Sequence, residues 1–258
     1  MTATEKLASR PSRNSFPAGL TDAWKELLIR IRFRFYLPRV RRAQLAGVKL
    51  EMEGLSPMMK NIILSGRYEY QERILCAEAI GSDDVVLELG SAIGFVGLYC
   101  RKKLGVKSVY GVEANPQTIQ LLNRNYAAND CDPRIIHAAV AAEDGEIELD
   151  TSGEFWENRV GQAGGKSVKV PSRKLSSILE QLEESPTALV CDIEGAETQL
   201  DFSSLPASVR TIVMELHPEW TGQEAAAATE KRMEDEGFVV VKRLDNSVLL
   251  TRNPKSDS

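Results

Sequence analysis

A chain of 258 residues, 43% hydrophobic and 27% charged, has room for one α/β domain with a sizeable core plus an extension, and its balance is that of a soluble globular protein. No apolar run approaches the roughly 18 residues of a membrane span, and the start lacks the apolar stretch of a secretory signal. The net charge of −5 is unevenly spread: the first 50 residues carry 11 Lys or Arg against Glu5, Asp22 and Glu26, which leaves −13 on the other 208. So acidic a body argues against nucleic acid as a partner, because phosphate contacts demand a basic face.

Cys76, Cys100, Cys131 and Cys191 form no CxxC pair and read as reduced thiols of a cytoplasmic protein. His137 and His217 are the only histidines, which excludes a multi-histidine metal site, and we expect no metal.

Residues 1–20, with Pro11, Pro17, Gly19 and several serines, read as loosely attached. From Asp22 to Leu37, Trp24, Leu27, Leu28, Ile31 and Phe35 recur on one helical face until Pro38 stops the pattern. Its arginines suit peripheral contact with an anionic membrane or a carrier-linked substrate. Ile29 and Phe33 blur the two faces, however, so we expect this helix to pack its apolar side on the domain. The basic, partly disordered extension is set at 1–47 and the main domain at 48–258. Within 48–80 we expect a strand at Val48–Met52 and a helix over Glu69–Ile80.

From Asp83 the pattern alternates strictly. Strands are predicted at Val85–Leu89, Ser108–Glu113, Arg134–Val140, Ala188–Ile193 and Thr211–Leu216. Helices are predicted at Gly94–Leu104, Pro116–Asn129, Lys174–Leu182 and Gln223–Glu236. Ile147–Thr151 and Ser167–Val170 look like an inserted antiparallel pair around a glycine-rich loop, Gly153–Gly165. Phe238–Lys242 and Val248–Thr251 form a closing hairpin that turns at Asp245-Asn246. The expectation is a Rossmann-like α/β fold: a doubly wound, seven-stranded, mostly parallel sheet with a C-terminal antiparallel hairpin, behind an N-terminal helical extension.

In such sheets ligands bind beyond the carboxyl ends of the strands. Three loops there are legible. Glu88-Leu-Gly90-Ser91-Ala-Ile-Gly94 follows the first strand, its glycines permitting a tight turn and a close backbone approach, and the next helix N-terminus favours a carboxylate. Glu113-Ala114-Asn115 closes the second strand with a carboxylate suited to ribose hydroxyls. Ala139 and Val140, on the third, leave room for a flat adenine. The glycine spacing is GxxxG followed by Gly97, not the GxGxxG of nicotinamide enzymes, which favours S-adenosylmethionine. Each glycine or acid taken singly would do no more than make a turn; in register on successive strands they make a cofactor site.

The chain resembles the FkbM family of S-adenosylmethionine-dependent methyltransferases over about Leu55–Asn253. The resemblance rests on Ser65-Gly-Arg-Tyr-Glu69, Val86-Leu-Glu-Leu-Gly-Ser-Ala-Ile-Gly94, Gly111-Val-Glu-Ala-Asn-Pro116, Val190-Cys-Asp-Ile-Glu-Gly-Ala-Glu197 and Met214-Glu-Leu-His-Pro218. It implies methyl transfer to oxygen, often on a sugar or natural-product hydroxyl, hence a small-molecule acceptor. The alternatives are an N-methyltransferase and a cofactor-binding module of the same fold without catalysis.

The acceptor end is read from the fourth and fifth strands. Asp192 faces cofactor or acceptor, and Glu194 and Glu197 share a face if a helix starts there. His217 suits proton removal near neutral pH. We assign catalysis to His217 and Asp192, and acceptor contacts to Glu194, Glu197, Trp156 and Arg159. His137, inside the third strand, reads as structural.

Overall fold

The computed structural model describes residues 22–150 and 167–252. The chain divides into two compact units, Met1–Tyr70 and Gln71–Ser258. In the first, helix α1 (Asp22–Ile31) runs on through a wider π turn (Arg32–Tyr36) and a 3-10 turn (Leu37–Arg39) before Val40 goes extended. Trp24, Leu27, Leu28, Ile31 and Phe35 are all exposed, where the spacing led us to expect a packed face. Strands β1 (Arg42–Leu45) and β2 (Val48–Glu51) form a hairpin whose turn, Ala46-Gly47, has positive φ at both residues, as tight hairpin turns require. Helix α2 (Pro57–Leu64) starts at Ser56, whose hydroxyl accepts the Met59 N–H at 3.1 Å, with Pro57 in the first turn. Strand β1 and helix α2 were not expected, because a lone hairpin strand and an eight-residue helix offer little periodicity to read.

Helix α3 spans Tyr70–Ala79 and helix α6 Leu175–Leu179. The second unit carries a seven-stranded sheet. Its strands are β3 (Val85–Leu89), β4 (Ser108–Glu113), β5 (Ile135–His137), β9 (Ala188–Cys191), β10 (Thr211–Glu215), β11 (Phe238–Leu244) and β12 (Ser247–Arg252), in the order β11-β12-β10-β9-β3-β4-β5. Strands β5, β4, β3, β9 and β10 are parallel, and β12 pairs antiparallel with both β10 and β11. This is the expected fold, and the order reverses between β3 and β9, where doubly wound sheets bind their ligands. The core runs through Leu87, Leu89, Val112, Leu189, Ile212 and Met214, residues of central strands buried on both faces. A three-stranded sheet joins β6 (Ala139–Val140) to β8 (Ser167–Arg173) in parallel, and β7 (Gly145–Asp150) to β8 antiparallel. The single strand expected over 134–140 is thus two, parted at Ala138, whose N–H donates to the Glu113 carbonyl while β6 turns to β8.

The amino-terminal edge of the sheet is tied by one carboxylate. Asp84 accepts the Thr187 hydroxyl, the Arg210 guanidinium at 2.7 Å and the Gly81 N–H at 2.9 Å, joining the starts of β3, β9 and β10. No helix of the described residues is long and apolar enough to cross a membrane.

Candidate active site

At the opposite edge, the loop after β3 folds under tight steric limits. Gly90, Ala92 and Gly94 all have positive φ, and at Ala92 this conformation costs an L-residue about 1–2 kcal/mol. The N–H groups of Gly90 and Ser91 both bind the Val112 carbonyl of β4. A Cβ on Gly90 would sit 1.7 Å from the Asp192 carbonyl, so this glycine lets the β3 loop lie against the end of β9. A Cβ on Gly94 would meet Tyr126 and Leu122 of helix α5 (Pro116–Ala128). The close approach that Gly94 permits is therefore to protein. Helix α4 (Phe95–Tyr99) follows and widens into a π turn at Cys100–Leu104, where one regular helix was expected.

Glu88 and Glu113, both expected to face a cofactor, are differently employed. Glu88 turns inward: it is buried, and its Oε1 accepts the Gly97 N–H at 3.0 Å. Burial pushes its carboxyl up to about 8, with the Ser91 hydroxyl and the Gly97 N–H offsetting part of the rise. Glu113 accepts the Ala92 N–H at 2.9 Å on one oxygen and the Asn115 N–H at 2.7 Å on the other, which fixes its carboxylate between the two loops. Burial raises it to about 7 against those backbone donors. The Asn115 side chain accepts the Gln117 N–H and caps α5, so its oxygen is spoken for. Ala114 offers its carbonyl to His137 Nε2 at 3.0 Å, and Ala139 and Val140 are buried at the start of the second sheet.

The end of β9 and the end of β10 bring together residues distant in sequence. His217 follows β10 and is the residue before helix α7 (Pro218–Thr221). Its Nδ1 lies 3.2 Å from Glu197 Oε1, which also accepts the His217 backbone N–H at 3.0 Å, while Glu197 Oε2 accepts the Gly195 N–H at 2.8 Å. Glu197 is 1% exposed, so the imidazole is held by a carboxylate that is itself fixed. Nε2 points the other way, 3.5 Å from Asp192 Oδ1 and 3.6 Å from Glu194 Oε2. Glu194 and Gly195 both take positive φ, a strained turn that presents Glu194 there.

Electrostatics follow from this crowding. Burial raises Asp192 to about 7 even against the pull of His217. Glu215, one strand residue away, rises to about 9 through burial and the nearby charge of Asp192. For His217, burial works to lower the value, but the Glu197 hydrogen bond and the charges of Asp192, Glu197 and Glu194 prevail and raise it to about 10. The neutral imidazole expected from the sequence is therefore not what this surrounding favours: the carboxylates hold the ring as imidazolium. The sequence reading placed Asp192, Glu194, Glu197 and His217 correctly near one another but gave Glu197 to the acceptor, whereas it lies behind the histidine. Trp156 and Arg159, and the Gly153–Gly165 loop, lie outside the described residues.

The methyltransferase FkbM domain model matches residues 88–240, more than half of the chain. The chain belongs to the FkbM methyltransferase family. Its activity is methyl transfer and its cofactor S-adenosylmethionine. The donor set fits that cofactor: each Glu113 oxygen holds one backbone N–H and keeps a further lone pair for a vicinal diol, beside a backbone loop kinked by left-handed residues.

Solved structures that align with this methyltransferase include ribosomal protein L11 methylase from Lactobacillus delbrueckii subsp. bulgaricus, at 13% identity over 73% of this chain and 80% of that one, TM-score 0.46. A putative tRNA (m1A22) methyltransferase from Streptococcus pneumoniae, in complex with S-adenosyl-L-methionine, aligns at 12% identity over 73% and 75%, TM-score 0.45. A putative RNA methyltransferase from Pyrococcus horikoshii aligns at 14% over 74% and 85%, TM-score 0.44. No curated protein matches the sequence. The tRNA and RNA enzymes among these neighbours stand against our expectation that nucleic acid is no partner. That expectation summed charge over the whole body, and a sum is blind to a local path along the surface.

Proposed function

We propose that this methyltransferase acts on oxygen, on a hydroxyl of a sugar or natural-product-like small molecule. The observation that supports it is the convergence of Asp192, Glu194 and His217 at the ends of β9 and β10, next to the loop that Gly90 seats against Asp192. When bound, the cofactor supplies a methyl group on an electrophilic sulfonium. Glu113 would hold its ribose, the Gly90-Ser91-Gly94 loop would carry its methionine end, and Ala114, Asn115, Ala139 and Val140 would line the adenine side. Glu88 acts from within by fixing that loop through Gly97. Asp192 and His217 orient the acceptor: its hydroxyl donates a hydrogen bond to the Asp192 carboxylate, which takes the proton as the oxygen is methylated, and in-line positioning of this kind supplies much of the rate of a displacement.

S-adenosylhomocysteine release should be followed with a panel of hydroxyl acceptors, spanning hexoses, nucleotide-linked sugars and phenols, against a matched panel of amines. Turnover confined to hydroxyls is the expected result. Turnover confined to amines makes the chain an N-methyltransferase. Cofactor binding without turnover on any acceptor makes it a binding module.

A further inference from the structure

We infer that Asp192, Glu194 and His217 form a binding site for a divalent transition-metal ion at the acceptor end of the fold. One ligand atom from each residue lies within 4.8 Å of the other two. The separations discriminate between a hydrogen-bonded cluster and a ligand set. His217 Nε2 stands 3.5 Å from Asp192 Oδ1 and 3.6 Å from Glu194 Oε2, both longer than the 2.7–3.2 Å typical of an N–H···O bond. Two ligands of one ion at metal–ligand distances of about 2.0–2.2 Å are roughly 2.8–3.6 Å apart. Both histidine–carboxylate separations fall in that range, and the two carboxylates lie within 4.8 Å of each other.

Three independent features point the same way. Asp192 Oδ1 is buried and has no hydrogen-bond partner. The His217 side chain is 5% exposed, and its Nε2, aimed into the cluster, makes no hydrogen bond among the described residues. Its other nitrogen is held by Glu197, the carboxylate–histidine arrangement that fixes the tautomer of metal-binding imidazoles, and an ion entering the cluster would displace the Nε2 proton of the imidazolium. The carboxylates crowd the cluster with negative charge, and among the described residues no Lys or Arg pairs with Asp192 or Glu197. Asp192 and Glu194 each keep about a quarter of the side chain exposed, so the cluster is open to an ion. Two carboxylates with one imidazole suit Mn²⁺ or Zn²⁺ better than Ca²⁺, which takes six to eight oxygens. A bound ion would leave its open positions toward the acceptor. In that respect the site deepens the proposed O-methylation and rests on it; the binding of the ion does not.

The test uses the full chain, freed of metal by chelator and dialysis, and titrates it with MnCl₂ by calorimetry and by loss of the free-ion paramagnetic resonance signal. One saturable Mn²⁺ per chain is expected, displaced by Zn²⁺ and not by equal Ca²⁺. Asp192→Asn and Glu194→Gln should each weaken it tenfold or more, while Glu146→Gln, an exposed strand acid, leaves it unchanged. Near-ultraviolet circular dichroism of the metal-free variants verifies their fold. No saturable Mn²⁺ in the natural chain, or equal binding by the natural chain and both site variants, overturns the inference. Because the readout is binding, absence of hydroxyl methylation with Mn²⁺ still bound would sink the proposed function and leave the site standing.

Discussion

Asp84 and Asp192 stand at opposite ends of the same sheet, and they are satisfied in opposite ways. Asp84 meets a hydroxyl, a guanidinium and a backbone N–H, so both its oxygens are matched by donors drawn from the starts of three strands. Asp192 stands with Glu194 and with a histidine nitrogen 3.5 Å away, and one of its oxygens is buried without a donor. A buried carboxylate oxygen left in that state costs free energy, and the ion we propose at this edge would match it. The matched acid ties strands together; the unmatched one carries the proposal.

The sharpest way to break this comparison is to remove one charge at each end. Asp192→Asn should lower kcat, measured as S-adenosylhomocysteine release with a responsive acceptor, by about 10²-fold or more, since loss of positioning alone reaches that size. Its thermal midpoint should stay level or rise, because a like charge leaves a crowded cluster. A falling midpoint with intact activity would reverse the roles we give the two edges. Asp84→Ala should do the contrary. It removes the acceptor of the Thr187 hydroxyl and the Gly81 N–H and should cost about 2–4 kcal/mol. Scanning calorimetry should show the midpoint falling by roughly 4–16 °C at this chain length. Cofactor affinity of the folded fraction should remain within about twofold; a selective loss of affinity would mean that the far edge shapes the site.

The two edges also differed in how far the sequence disclosed them. Strand ends at Leu89 and Glu113 were legible because apolar runs stop at Gly or Asn-Pro, and the hairpin turn at Asp245-Asn246 was legible from its residue types, with φ of +52° at Asp245. Three features depended on tertiary context and were not. Ala138 parts two strands that belong to different sheets, and an apolar run interrupted only by His137 carries no mark of that switch. Gly94 looks like a ligand-facing glycine, yet the atoms it makes room for belong to Tyr126, 32 residues on. Glu197 reads as an acid on the helical face of Glu194. The left-handed turn at Glu194-Gly195 instead sends the two to opposite sides of His217, a distinction of backbone dihedrals that spacing alone does not encode.

Within the cofactor half, Glu113→Gln tests whether the fixed carboxylate meets the ribose. Glutamine keeps one oxygen for a backbone N–H and removes the charge that strengthens bonds from two hydroxyls. S-adenosylmethionine affinity by calorimetry should fall about tenfold, the equivalent of roughly 1.4 kcal/mol. Unchanged affinity would detach Glu113 from the cofactor and leave it a loop anchor like Glu88.

Glu88 itself should give the smallest effect, and one visible only against pH. Its carboxyl sits at about 8 in the folded chain against an ordinary 4.5, because burial disfavours the charge. Between those values the folded state keeps a proton that the unfolded state has released. Stability from this group is therefore full below about pH 4.5, declines as pH rises through the window, and is lost above about 8. Glutamine mimics the protonated acid: it still accepts the Gly97 N–H and has no proton to lose. The natural chain's thermal midpoint should fall between pH 6 and pH 9, since Glu113, Asp192 and Glu215 are raised by burial as well. Glu88→Gln should fall less, by a few °C at roughly 2–4 °C per kcal/mol. The two midpoints should meet toward pH 5, where the natural side chain is also neutral. Parallel midpoints across the range would show that Glu88 is already charged in the folded chain, with a donor closer than Gly97 and Ser91 supply.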